Sequence, residues 1–135
     1  MIDRDELRQF AMRYTAAWCS QDAAIVAAFF LPDGTLTING GVPSIGAPAI
    51  TAAAQGFMTA FPDLVIMMDR LVVEETRTTY HWTLMGTNTG PGGTGKPVRI
   101  SGFEVWRMSE ECLIAESKGH FDEAEYRRQL ETGSQ

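Results

Sequence analysis

The residues best suited to acid–base chemistry lie in the second half of the chain: His81, Glu104, His120 and Asp122. An imidazole titrates near neutral pH, which makes His81 the strongest candidate for a general base, provided that it faces a cavity. His120 and Asp122 share a face if their strand is straight, and a carboxylate can orient an imidazole. The alternatives are a surface or structural role for each histidine and a helix N-cap for Asp122.

Glu104 stands between the apolar residues Phe103 and Val105. A carboxyl group buried there would have a raised pKa and would donate a hydrogen bond in its neutral form. The alternative is a solvent-facing glutamate paired with Arg99 or Arg107. Because charged residues are seldom buried without a reason, a buried Glu104 would indicate a functional site.

A predicted hairpin spanning residues 78–108 carries two of these candidates, and the rest of the chain is organised around it. Both arms are rich in β-branched and aromatic residues, and the connection is rich in glycine, which is typical of two long strands joined by a turn. Alternation places His81 and Thr83 on one face of the first arm and Tyr80 and Trp82 on the other. One of these faces is expected to be the wall of a pocket.

Three helices are predicted before this hairpin. Apolar residues at three- and four-residue spacing predict the first helix and place Tyr14 and Trp18 on its buried face, where the tyrosine hydroxyl needs a partner. Asp3 and Glu6 resemble a capping box at its start. A second short helix follows, and a third is expected to begin near Pro48.

The remaining segments predict strands at residues 35–38, 64–73 and 112–121 and a short polar helix at residues 123–130. Helices segregated from antiparallel strands define an α+β fold. We therefore expect a single domain over residues 1–135, in which a curved antiparallel sheet wraps around three N-terminal helices and encloses a cone-shaped hollow.

Composition narrows the classes of function. The 135 residues carry a net charge of −6, which argues against a nucleic-acid partner, because phosphate backbones require a basic face. No apolar run approaches the roughly 20 residues of a membrane span, and the N-terminus lacks a secretory signal, so a cytoplasmic location is expected. The two cysteines have no metal-site spacing, so no metal site is expected.

Several motifs resemble the SnoaL-like polyketide cyclases of the NTF2-like superfamily across nearly the whole chain. They are Ala60-Phe61-Pro62-Asp63-Leu64, the run from His81 to Gly90, and the run from Gly102 to Arg107. The run from Arg13 to Trp18 is similar to the ketosteroid isomerases of that superfamily. The resemblance implies a cone-shaped barrel, a homodimer packed through its sheet, and a pocket that works without a cofactor.

The resemblance also assigns roles. By similarity to the isomerases, Tyr14 is a hydrogen-bond donor and Glu104 lies near a protonated acid, while the isomerase base aligns on Ile38. The cyclases end in Glu-His-Trp-Asp, followed after three more residues by a second Asp. Aligned from Ile114 without gaps, this chain has Ser117, Lys118 and Gly119 at the His, Trp and first Asp, and it keeps the second Asp as Asp122.

The sequence thus predicts a cofactor-independent enzyme that moves a proton next to a carbonyl group of a hydrophobic ligand, as in aldol cyclisation or isomerisation. In this hypothesis His81 is the base, and Glu104 and Tyr14 are hydrogen-bond partners of the developing oxyanion. The expected lining residues are Trp18, Phe30, Phe57 and Trp106. The alternative is a non-catalytic small-molecule-binding or dimeric assembly module with the same fold. Whether His81 and Glu104 face one cavity distinguishes the two.

Overall fold

The computed structural model describes residues 2–134. The helices span Arg4–Cys19 (α1), Ala23–Ala27 (α2), Gly46–Ala60 (α3) and Glu123–Thr132 (α4). The strands span Phe30–Ile38 (β1), Ser44–Ile45 (β2), Val65–Val73 (β3), Thr78–Thr87 (β4), Pro97–Met108 (β5) and Ile114–Phe121 (β6). None of the helices in the described range combines the length and apolar character needed to cross a bilayer.

The strands form one curved sheet in the order β2-β1-β6-β5-β4-β3, which does not close on itself. Helices α1 and α3 pack against its concave face, α1 against β3 and α3 against β1, and α2 packs against α1 and α3. The predicted α+β fold, with a curved sheet around three N-terminal helices, is confirmed. The sheet is mixed rather than wholly antiparallel, because β1 pairs with β6 in parallel.

Two helix ends show how the local sequence acts. Helix α3 stops at Ala60, two residues before Pro62, since proline disfavours the helical conformation of the residue before it. At the start of α1, Asp3 makes no side-chain cap hydrogen bond, so the predicted capping box is not formed. At the start of α4, the side chain of Asp122 does accept a hydrogen bond from the backbone N–H of Glu125, at 3.0 Å.

Strand register assigns the two faces of the sheet. Tyr80 lies opposite Glu104, and Glu104 lies opposite Gly119, so these residues share one face. Tyr80 and Glu104 are only 1% and 7% exposed, which identifies that face as the concave one. The next residues along the strands, including Phe103 at 36% exposure, therefore point to the convex face.

Candidate functional site

A cavity of about 60 Å³ lies between the helices and the concave face of the sheet. Its wall is almost entirely apolar. The residues that line it are Trp18, Leu36, Ile38, Phe57, Ile66, Tyr80, Trp82, Leu84, Ile100, Glu104, Gly119, Phe121 and Tyr126. Among these, Glu104 supplies a carboxyl group, and its immediate surroundings determine what the cavity can do.

Three hydrogen bonds converge on a single carboxyl oxygen, Oε1 of Glu104. The Tyr14 hydroxyl donates at 2.9 Å, the Trp106 indole N–H at 3.0 Å and the Ser117 hydroxyl at 2.7 Å. Tyr14 comes from α1, Trp106 from β5 and Ser117 from β6, and all three are fully buried. The carboxyl group is therefore held in one orientation by groups that do not line the cavity themselves.

The other carboxyl oxygen of Glu104 is oriented differently. Oε2 accepts no hydrogen bond from residues 2–134. It is also not among the fully buried polar atoms without a partner, so it keeps some accessible surface. Because Glu104 lines the cavity, Oε2 is the atom that the carboxyl group presents to it.

Burial is the largest influence on Glu104 and raises the pKa of its carboxyl group. The hydrogen bonds from Trp106, Ser117 and Tyr14 act in the opposite direction, since they stabilise the carboxylate, but burial prevails. Glu104 thus stays protonated to a higher pH than an ordinary glutamate. Since Oε1 already accepts three hydrogen bonds, the proton of the neutral form belongs on Oε2.

Tyr14 does not reach the cavity and acts through Glu104. Its hydroxyl is buried, and its pKa is raised well above 10, chiefly by burial and then by the neighbouring charge of Glu104. The Tyr14 hydroxyl therefore remains a donor to Oε1. It cannot contact a ligand directly, although the hypothesis drawn from the sequence required such a contact. The nearby indole N–H of Trp18 lowers the pKa of Tyr14, although this N–H makes no hydrogen bond of acceptable geometry within residues 2–134.

His81 and Glu104 lie on opposite faces of the sheet, so the structure does not pair them over one ligand. His81 is opposite Phe103, the chain neighbour of Glu104, and alternation turns it to the convex side. Its ring lies 5.8 Å from that of Phe103, with His120 at 5.0 Å on the other side. Burial, and then the charge of Arg70, lowers the pKa of His81.

Asp122 is exposed and caps α4, so it lies outside the cavity. The structure thus gives Asp122 the role of a helix N-cap, which the sequence analysis named as its alternative role. His120 points to the convex face, and no hydrogen bond joins it to Asp122 within the described residues. The structure therefore brings only Glu104, of the five candidate catalytic residues, to the cavity wall.

Two of the four predicted lining residues, Trp18 and Phe57, line the cavity. Phe30 and Trp106 are buried in the core behind it. Sequence reasoning missed the aromatic residues Tyr80, Trp82, Phe121 and Tyr126. A signal for the first two was available, since the face of β4 with Tyr80 and Trp82 is more apolar than the face with His81.

Ile38 and Gly119, the positions on which the sequence resemblance aligns an acid or base of the isomerases and cyclases, both line this cavity. A Cβ atom on Gly119 would lie 3.6 Å from Cγ of Glu104 and 3.7 Å from the carbonyl oxygen of Thr37, both ordinary contacts. The chain thus has space for a side chain at position 119, beside Glu104.

Solved structures with the same fold come from several sources. TsrD from Streptomyces laurentii is 22% identical, with a TM-score of 0.83 over 96% of this chain and 98% of that one. A hypothetical protein with a ketosteroid isomerase-like fold from Catenulispora acidiphila, in complex with trimethylamine, is 15% identical, with a TM-score of 0.73 over 82% and 83%. SalBIII, described as an epoxide hydrolase/cyclase-like enzyme in pyran ring formation in salinomycin, is 16% identical, with a TM-score of 0.79 over 92% and 96%.

No curated protein sequence matches this chain. A family model does match, over residues 8–130, and its description is the one that the sequence motifs suggested. The match covers both the α1 segment that carries Tyr14 and the β5 and β6 segments that carry Glu104 and Ser117. The chain therefore belongs to the SnoaL-like polyketide cyclase family.

Proposed function

We propose that this protein is a cofactor-independent acid–base catalyst with a cyclase-like or isomerase-like role on a hydrophobic ligand that bears a carbonyl group. The observation that carries the proposal is the carboxyl group of Glu104, buried, held through Oε1 and presented through Oε2 to an apolar cavity. Membership of a cyclase family supports the class of reaction. SalBIII supports it too, since its description shows ring formation on the same fold.

The proposed step uses Glu104 as the single proton carrier. In its ionised form, Oε2 takes a proton from the carbon next to the ligand carbonyl. The C–H bond breaks, an O–H bond forms on Oε2, and the electron pair moves into the enolate. The neutral carboxyl then returns the proton to the enolate oxygen or to another carbon. A carboxylate whose pKa is raised by burial is a stronger base than an exposed one.

The cavity wall restricts the ligand to flat and apolar molecules. Aromatic rings of Trp18, Phe57 and Trp82 surround the space, and no charged side chain other than Glu104 is among the described lining residues. A volume of about 60 Å³ is well below the roughly 300–1,000 Å³ of drug-sized sites. The proposed ligand is accordingly a small ring system whose carbonyl-bearing edge enters the cavity.

Proton transfer next to a carbonyl group can be tested without knowing the natural substrate. The probes are 1-tetralone and 2-indanone in D₂O, with loss of the α-proton signal followed by NMR. The wild-type protein should accelerate the exchange, and Glu104→Gln should lower that acceleration by about 100-fold or more, the usual contribution of a general base. The glutamine keeps an acceptor for the three buried donors, so folding is preserved.

Glu110→Gln is the matched control, because Glu110 is exposed and lies outside the cavity. It should leave the exchange rate unchanged. Equal rates for the wild-type protein and Glu104→Gln would contradict the proposed role of the carboxyl group.

A non-catalytic binding module is the second candidate, and one observation favours it. The positions that carry an acid or base in related enzymes are Ile38 and Gly119 here, and both line the cavity. In that case the probe ketones would bind to the wild-type protein and to Glu104→Gln, and neither protein would accelerate exchange. Native mass spectrometry of the purified protein would then identify a retained ligand.

A further inference from the structure

One aromatic ring on the wall of the cavity comes from an otherwise peripheral helix, that of Tyr126 on α4. We propose that Tyr126 is the specificity-determining residue of the site and that its ring sets the largest ligand that can reach Glu104. The inference rests on the proposed function only in taking this cavity as the ligand site, and it concerns binding rather than proton transfer.

Along β5, the residues that line the cavity lie between Glu104 at one end and Ile100 at the other. Beyond Glu104 lies the fully buried layer of Trp106 and Ser117, which is outside the cavity. In the other direction the lining continues along β5 to Ile100, four residues away, which corresponds to about 13 Å of strand. A ligand that contacts Glu104 must therefore extend toward the Ile100 end.

Helix α4 lies across that same end. The side-chain oxygen of Gln129 accepts a hydrogen bond of 2.7 Å from the backbone N–H of Arg99, the residue next to Ile100. The Tyr126 ring packs against Phe121 at 5.4 Å and Phe61 at 6.4 Å. Tyr126 thus stands where the far end of a longer ligand would lie.

Packing alone positions the ring of Tyr126. Its hydroxyl makes no hydrogen bond within residues 2–134, and the side chain is half-buried. Shortening this side chain therefore leaves no buried polar group without a hydrogen-bond partner. Removing the ring would open the cavity at this end, so that a longer ligand could extend out of it.

The helix itself does not depend on Tyr126 for its structure. Asp122 caps its first turn, and Glu123 pairs with Arg127 at 2.6 Å within the helix. Its buried residue is Gln129, which anchors it to β5. Substitution of Tyr126 is therefore expected to change the cavity without releasing α4.

The test measures binding of ketones of increasing size by equilibrium dialysis: 1-indanone with two rings, 9-fluorenone with three and estrone with four. The wild-type protein should bind 1-indanone best. Tyr126→Ala should strengthen binding of estrone relative to 1-indanone by about tenfold or more, or about 1.4 kcal/mol. Tyr126→Phe, which keeps the ring and loses the unused hydroxyl, should retain the wild-type order.

Tyr126→Leu is a second shortened variant, in case the alanine variant loses its structure, because leucine keeps an apolar contact with Phe121. It should shift the binding preference toward estrone, as Tyr126→Ala does. Unchanged size preference in both shortened variants would overturn the proposal, as would failure of every ketone to bind. Repeating the dialysis in Glu104→Gln separates the two proposals, since size selection by Tyr126 should persist there even if no protein accelerates proton exchange.

Discussion

Ser117 and Glu104 lie on adjacent strands, 13 residues apart, and the Ser117 hydroxyl donates a hydrogen bond of 2.7 Å to Oε1 of Glu104. This is the shortest of the three hydrogen bonds described at that oxygen. The pair connects the last strand of the sheet with the buried carboxyl group. It also gives the sheet a means of adjusting the acidity of that group without any contact with the ligand.

Ser117→Ala should raise the pKa of Glu104 further. The lost hydrogen bond stabilises the carboxylate, and burial, which favours the neutral form, remains. A ¹³C NMR titration of the Glu104 side-chain carboxyl should show the upward shift, and the pH dependence of ketone exchange should move the same way. Ser101→Ala is the control, since Ser101 is exposed and bonds to Thr83 instead. A downward shift in Ser117→Ala would contradict this account.

The stability of the fold should depend on pH through Glu104. Its pKa is higher in the folded protein than in the unfolded chain, so the folded state binds the proton more tightly. The free energy of unfolding should therefore be greatest below the ordinary glutamate pKa, near 4.3. It should decline as the pH rises through the raised pKa. Urea unfolding across this range should show the decline in the wild-type protein and a flatter profile in Glu104→Gln.

Glu104→Ala separates the structural role of this side chain from its charge. It leaves the Tyr14, Trp106 and Ser117 donors without their shared acceptor, at a cost of about 1–3 kcal/mol for each buried group left unpaired. We expect a large fall in the urea midpoint for the alanine variant and a small change for Glu104→Gln. Similar midpoints for the two variants would show that the three hydrogen bonds do not contribute as described.

The two histidines should be dispensable for the cavity. His81 and His120 pack on either side of Phe103 on the convex face, away from Glu104. We expect His81→Ala and His120→Ala to change ketone exchange by less than about twofold, because neither removes an interaction with the reacting atoms. A loss as large as that of Glu104→Gln would restore the histidine base that the sequence suggested.

The convex face is the proposed contact surface of a homodimer, as the family resemblance implied. Phe103 is 36% exposed there, and β3 adds exposed Val65 and Met67 on the same side. Phe103→Glu would place a charge within that surface and should convert a dimer to a monomer in light scattering after size-exclusion chromatography. Val42→Glu, the same kind of change at a 92% exposed position in the loop between β1 and β2, serves as the charge control.

Gly119→Val should fill the space beside Glu104. A Cβ atom at position 119 meets only ordinary contacts, and valine favours strands, so the free energy of unfolding should change by less than about 1 kcal/mol. Binding of 1-indanone should weaken by about tenfold, since the new methyl groups occupy ligand space. Gly56→Ala, on an open helix surface, is the control and should leave binding unchanged. Unaltered binding in Gly119→Val would place the ligand elsewhere.

Much of the fold follows from local patterns in the sequence. The spacing of Phe10, Tyr14 and Trp18 predicts α1, and the glycine-rich turn between two strand-like arms predicts the β4–β5 hairpin. Alternation along β4 separates its two faces correctly. Deciding which face is concave requires comparing the polarity of their side chains. The face with Tyr80 and Trp82 is more apolar than the face with His81, which identifies it as the buried, concave face.

The candidate site was harder to predict because it depends on contacts between distant segments. Ser117 reaches Glu104 only through the register of β5 with β6, and no property of Ser117 alone indicates it. The parallel pairing of β1 with β6 was also missed, since it joins segments about 80 residues apart in the sequence. Tyr126 was not predicted to line the cavity for a similar reason. The sequence of a polar C-terminal helix does not indicate which part of the protein its aromatic ring contacts.

The position of β6 has a consequence for biosynthesis. This strand is the last to be made, yet it lies in the interior of the sheet between β1 and β5 and carries Ser117 and Gly119. A nascent chain that ends before residue 114 therefore leaves two long strand edges unpaired and exposed to association with other chains. The surroundings of Glu104 can assemble only after nearly the whole polypeptide has emerged from the ribosome, so premature termination should give an aggregation-prone product rather than a folded protein with an altered site.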